Sequence, residues 1–69
     1  MSKLHSSREI INVLETSGFI FISQRGSHMK FFNKNKKVVV IVPANKPQIP
    51  FGTFASILRQ SKLSKKDFE

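Results

Sequence analysis

Residues 19–43 read FIFISQRGSHMKFFNKNKKVVVIVP, and this stretch decides the fold. Phe19 to Ile22 is aromatic and β-branched, a composition that favours a strand. Gln24-Arg25-Gly26 breaks it as a turn. Ser27 to Phe32 reads as a second strand, and Asn33 to Lys36 as a second turn rich in Asn. Val38 to Val42 is a third strand, stopped by Pro43. Two short connections between successive strands predict an antiparallel meander with the second strand in the middle. Side chains alternate along a strand. Ser27, Met29 and Phe31 therefore point one way, and His28, Lys30 and Phe32 the other.

On the N-terminal side, Ser6 and Glu9 stand at capping-box spacing, the signature of a helix start. Ile10, Val13 and Leu14 share one helical face, and Gly18 suits a helix end. A first helix is expected over Ser7 to Ser17, with residues 1–5 as a loose leader. On the C-terminal side, residues 44–51 carry Pro47 and Pro50 and read as an ordered loop. Gly52-Thr53 opens a second helix whose apolar face is Phe54, Ile57 and Leu58, closed by Ser61 and Lys62. Ser64 and Asp67 cap a last short turn held by Phe68, or the terminus frays. The expected order is α-β-β-β-α, an α+β fold in one domain over 1–69. Three strands need cover, so both helices must lie on one face of the sheet. The more apolar set, with Met29 and Phe31, faces them. His28, Lys30 and Phe32 are left on an open face, flanked by Ile20 and Ile22 or else Phe19 and Phe21, and by Val39 and Ile41.

Charge narrows the partners. The chain has 69 residues, 12 Lys and Arg against 4 Asp and Glu, and a net charge of +8. A small domain this basic meets a polyanion or an acidic protein. There is no Cys, which excludes disulfides, thiolate metal sites and thiol nucleophiles. The longest apolar run, Val38 to Val42, has five residues, and a bilayer span needs about 20. With no signal-peptide pattern, the expected location is the cytoplasm.

His28 is the candidate for chemistry, since imidazole both takes and gives protons near neutrality. Gly26 permits close approach of a phosphate, and the Ser27 hydroxyl can donate to one. A structural histidine in a short strand is the other reading, weakened by Arg25 and Lys30 beside it. His5 is assigned no role. The acids Glu9, Glu15, Asp67 and Glu69 lie far from His28 in sequence, so neither a metal site nor a two-metal nuclease is expected, and no cofactor. Arg25, Lys30, Lys34, Lys36 and Lys37, with Lys46 beyond, read as phosphate contacts or as a solvated surface. Both hairpin turns are taken as lying beside the histidine. Phe32 either stacks on a base or packs in the core. The same features fit a binding module without chemistry. A DNA reader fits less well, because the second helix carries only Arg59 and Lys62.

The arrangement of Gly18-Phe19, then Gln24-Arg25-Gly26-Ser27-His28, then Pro43 after a β-branched strand, then Gly52-Thr53 with Ile57-Leu58, resembles the HicA family over Ser7 to Ser64. The resemblance implies a toxin of a type II toxin–antitoxin pair with a double-stranded-RNA-binding-domain-like fold. It implies a ribosome-independent endoribonuclease acting on mRNA, neutralised by a HicB-type antitoxin. The family's catalytic histidine falls on His28, with Gly26 and Ser27 as its motif neighbours. Many relatives carry a basic residue or His directly after the proline that ends the third strand. Here Pro43 is followed by Ala44-Asn45, and the cation is delayed to Lys46. The mechanism expected is metal-independent, with His28 as base and Lys30 and Arg25 stabilising charge.

Overall fold

Helix α1 starts where the capping box places it. In the computed structural model, which describes residues 3–69, the Glu9 amide donates to Ser6 Oγ at 3.1 Å and the Ser6 amide to Glu9 Oε1 at 2.8 Å. Helix α1 runs Ser7–Thr16. Ser17 is its C-cap rather than its last turn, and Gly18 follows at φ +96°, a conformation an L-residue adopts only under strain. Ile10 and Leu14 are fully buried. Ser7, which the sequence pattern did not single out, is buried too. Its Oγ donates to the Pro43 carbonyl at 2.6 Å and accepts from the Lys46 amide at 2.9 Å. These bonds lock the helix start to the loop after the sheet.

The sheet is the predicted antiparallel meander, with β1 (Phe19–Arg25), β2 (His28–Asn33) and β3 (Val38–Pro43) in that order. β1 is longer than its apolar core suggested, because strand pairing carries through Ser23, Gln24 and Arg25. The β1–β2 turn is therefore just Gly26 and Ser27. Gly26, at φ +58°, takes the first central position, as in a type II′ hairpin. The β2–β3 turn spans Lys34 to Lys37, closed by the pairing of Asn33 with Val38. Asn33 is a structural residue: its Nδ2 donates to the Ser17 carbonyl and its Oδ1 accepts from the Lys36 amide. It is 2% exposed, so the first turn residue expected from sequence is a buried clamp between α1 and the hairpin.

Helix α2 runs Phe51–Ser61 and ends with Lys62 at φ +64°. Both helices cover one face of the sheet. Phe31, Val40 and Val42 from the strands meet Ile10, Leu14, Phe54 and Ile57 from the helices, with Ile49 from the loop. Each fully buried side chain of this kind contributes about 1.5–3 kcal/mol relative to an exposed one. The outer edge of β3 is covered by α2, whose Gln60 Oε1 accepts the Ile41 amide at 3.0 Å. A 3₁₀ turn, Lys65–Phe68, seats Phe68 in the core.

Residues 1–5 were expected to be a loose leader. Residues 1 and 2 lie outside the described part. Leu4 and His5 are half-buried. The His5 ring sits 5.0 Å from that of Phe54 and 5.9 Å from that of Phe68, and its carbonyl accepts the Ile49 amide at 2.7 Å. Its place is structural: it seals the end of the core between α2 and the 3₁₀ turn.

Candidate functional site

Strand register assigns the open face residue by residue. His28 pairs with Arg25 on one side and Pro43 on the other; Lys30 pairs with Ser23 and Ile41; Phe32 pairs with Ile20 and Val39. Met29, Phe31 and Asn33 alternate onto the helix side. Register settles the side of β1 that the sequence pattern left open: Ile20, opposite Phe32, lies on the open face, and Phe21, opposite Phe31, on the helix side, with an irregularity following at Ile22. Pairing steps from Phe21 directly to Ser23 while β2 advances one residue, so Ile22 is the extra residue of a β-bulge. Unbroken alternation from Phe19 would carry Ser23 and Arg25 to the helix side. The bulge reverses the parity and brings both beside the histidine. Phe19 and Phe21 lie on the helix side, where Phe19 is buried and Phe21 meets the edge of Phe31 with ring centroids 5.7 Å apart.

The result is a shallow hollow of about 320 Å³ lined by Ser23, Arg25, His28, Lys30 and Ile41. His28, Arg25 and Lys30 are exposed. Ion pairs among the described residues involve only Glu9, so Arg25 and Lys30 keep their charges for a ligand. Gly26 and Ser27 form the rim. Gln24 Nε2 donates to the Gly26 carbonyl at 2.9 Å, and the Ala44 amide to the Ser27 carbonyl at 2.7 Å. Space around the Gly26 Cα is open, so its left-handed φ, rather than crowding, is what calls for glycine there. Ser23 is the lining residue that sequence reading missed. No local signal announces it, because a bulge cannot be counted from alternation.

The other cations separate. The sequence places both hairpin turns beside His28, and in the structure only the first lies there. Lys34, Lys36 and Lys37 occupy the opposite end of the sheet. The five residue steps from His28 to Asn33 span about 16 Å. Lys34, Lys36 and Lys37 are all exposed there, and the Lys36 ammonium reaches back to 3.5 Å from the Ser61 carbonyl at the end of α2. Cations favour such a helix C-terminus. After Pro43, Ala44 is buried and Asn45 turns the chain at φ +56°. Lys46 lines a different hollow, of about 680 Å³, with Arg8 and Asn12 of α1. The loop thus offers no second proton-transfer group to His28. No group of three or more His, Cys, Asp or Glu among the described residues could hold a metal ion.

An α-β-β-β-α chain with two helices behind a three-stranded meander, and an imidazole among cations on the free face, defines a double-stranded-RNA-binding-domain-like protein with a polar site on its sheet. Residues 7–63 match the family described as the HicA toxin of bacterial toxin–antitoxin systems, and the chain belongs to that family. A comparison with curated proteins finds no match. No helix among the described residues is long and apolar enough to cross a membrane.

Proposed function

We propose that this toxin is a metal-independent endoribonuclease that cuts mRNA, with His28 as its general base, and that a HicB-type antitoxin neutralises it in the cytoplasm. The observation that carries the reading is the hollow itself. An exposed imidazole stands beside Arg25 and Lys30, with Ser23 at the wall and no carboxylate lining the hollow. Neutral His28 takes the proton from a ribose 2′-hydroxyl. The 2′-oxygen bonds to the adjacent phosphorus, the bond from phosphorus to the 5′-oxygen breaks, and that oxygen takes a proton from water, whose hydroxide is neutralised by the proton that then leaves His28. The products are a 2′,3′-cyclic phosphate and a 5′-hydroxyl. Arg25 and Lys30 stabilise the extra negative charge on the phosphorane oxygens. Gly26 and Ser27 place backbone and a hydroxyl at the rim, where a phosphate enters. Lys34 and Lys37 hold the strand farther along the sheet, and Lys36 supports the turn that presents them.

Cleavage of a labelled RNA by purified protein tests this. His28→Ala should slow the chemical step about 10²–10⁴-fold, the range for a lost general base. Stability should move by no more than about 0.5 kcal/mol, since the side chain is exposed. Wild-type cleavage should persist in EDTA and stop at a single 2′-deoxy substitution. A His28→Ala variant that cuts at the wild-type rate refutes the assignment. RNA that binds and is never cut makes the protein a binding module instead.

A further inference from the structure

The hollow occupies only one end of the open face. Toward the other end, Ile20, Phe32 and Val39 lie in register across all three strands. Ile20 is 58% exposed and Val39 45% exposed, with Phe32 half-buried between them, so the row is an apolar strip open to solvent. It spans two strand spacings, about 10 Å, which is the scale of one aromatic base. Phe32 is its centre and its only aromatic ring. Phe21 and Phe31 pack against each other on the opposite side of the sheet.

The strip is bordered by cations at both ends. Lys30 lies two residues before Phe32 on the same strand and face, and Lys34 opens the turn two residues after it. A nucleic-acid backbone held in the hollow and reaching the turn must pass this ring. Unpaired bases stack on aromatic side chains, whereas the bases of a duplex have their faces occupied by their neighbours. We propose that the Ile20–Phe32–Val39 strip is a nucleobase-stacking subsite that holds one unpaired base of the RNA on Phe32, between the phosphates at Arg25 and Lys30 and those at Lys34 and Lys37. The proposal rests on RNA being the ligand of the hollow, and it makes an unpaired strand the substrate class. Lys30, Phe32 and Lys34 follow one another at steps of two residues along β2 and into its turn, which is the order phosphate, base, phosphate of a single strand and favours RNA as the occupant.

The test uses the whole protein and 2′-O-methyl RNA hexanucleotides, which offer no 2′-hydroxyl for cleavage, so it is independent of whether His28 is catalytic. One series carries a single abasic site moved along the strand. Wild-type protein should lose affinity at one position by about 5- to 150-fold, the range for one stacked base. A 2-aminopurine at that position should be quenched on binding. Phe32→Leu, which keeps an apolar side chain without the ring, should bind intact and abasic strands alike. Phe32→Trp should restore the difference. Ile20→Thr, at an exposed position, should weaken the intact strand alone. Abasic strands that bind wild-type protein as tightly as intact ones at every position would overturn the subsite and leave the RNA reading standing. Strands that do not bind at all would sink both. Unchanged RNA binding by Phe32→Leu together with lost binding of a HicB-type antitoxin would give the strip to the protein partner and overturn the proposal.

Discussion

Salt dependence counts the cations that meet RNA phosphates, and the geometry sets that count. Arg25 and Lys30 line the His28 hollow. Lys34, Lys36 and Lys37 are exposed at the far turn, with the Lys36 ammonium directed toward the Ser61 carbonyl, 3.5 Å away. Each phosphate neutralised on a single strand contributes about −0.7 to the slope of log affinity against log salt. A short oligonucleotide confined to the hollow meets two of these cations, giving about −1.4. One long enough to reach the turn meets four, giving about −2.8. Between about 50 and 200 mM salt the first should weaken about 7-fold and the second about 50-fold. Lys34→Gln, or Lys37→Asn at its left-handed position, should each flatten the long-strand slope by about 0.7 and leave the short-strand slope alone. Lys36→Gln should change neither. The measurement is fluorescence anisotropy with uncleavable strands of two lengths across a salt series. Equal slopes for both lengths would refute the two-cluster reading. So would a Lys36→Gln effect as large as that of Lys37→Asn.

Two further outcomes concern the frame that carries the site. Asn33→Ala removes a buried side chain that joins the Ser17 carbonyl to the Lys36 amide. It should cost about 1–3 kcal/mol, with a melting temperature lower by about 4–8 °C per kcal/mol, read by circular dichroism. The Ser6 amide and the Lys3 ammonium hold the Glu9 carboxyl below the usual carboxylate range. The stability this confers is therefore present above the ordinary glutamate value, about 4.3, and is lost as pH falls through the lowered native one. Melting curves of wild type and Glu9→Gln should differ at neutral pH and converge in acid; a constant gap would show that the charge of Glu9 is not the source.

The meander, the capped first helix and the division of β2 into two faces were legible in the sequence, because each depends on interactions within a few residues. Ser6 and Glu9 bond across one helical turn, Gly26 supplies a left-handed turn, and period-two alternation separates His28 and Lys30 from Phe31. Strand alternation gave no answer for β1, since Phe19 and Phe21 are as apolar as Ile20 and Ile22, and it could not place Ser23 and Arg25, since one bulge at Ile22 reverses the parity of everything after it. Whether a bulge forms is settled by pairing with β2 and by the demand that Phe19 reach the core. The fate of the lysines was equally out of reach. Lys34, Lys36 and Lys37 are near His28 in sequence and about 16 Å along the sheet in space, because an extended strand separates residues by nearly its full contour. Lys36 is further diverted by a carbonyl that only the packing of α2 brings near. Ser7, Asn33 and His5 belong to the same class. Their partners lie 39, 16 and 49 positions away along the chain, at Lys46, Ser17 and Phe54. Local chemistry chose the strands, the turns and the face of the histidine. Register and packing chose which neighbours that histidine has.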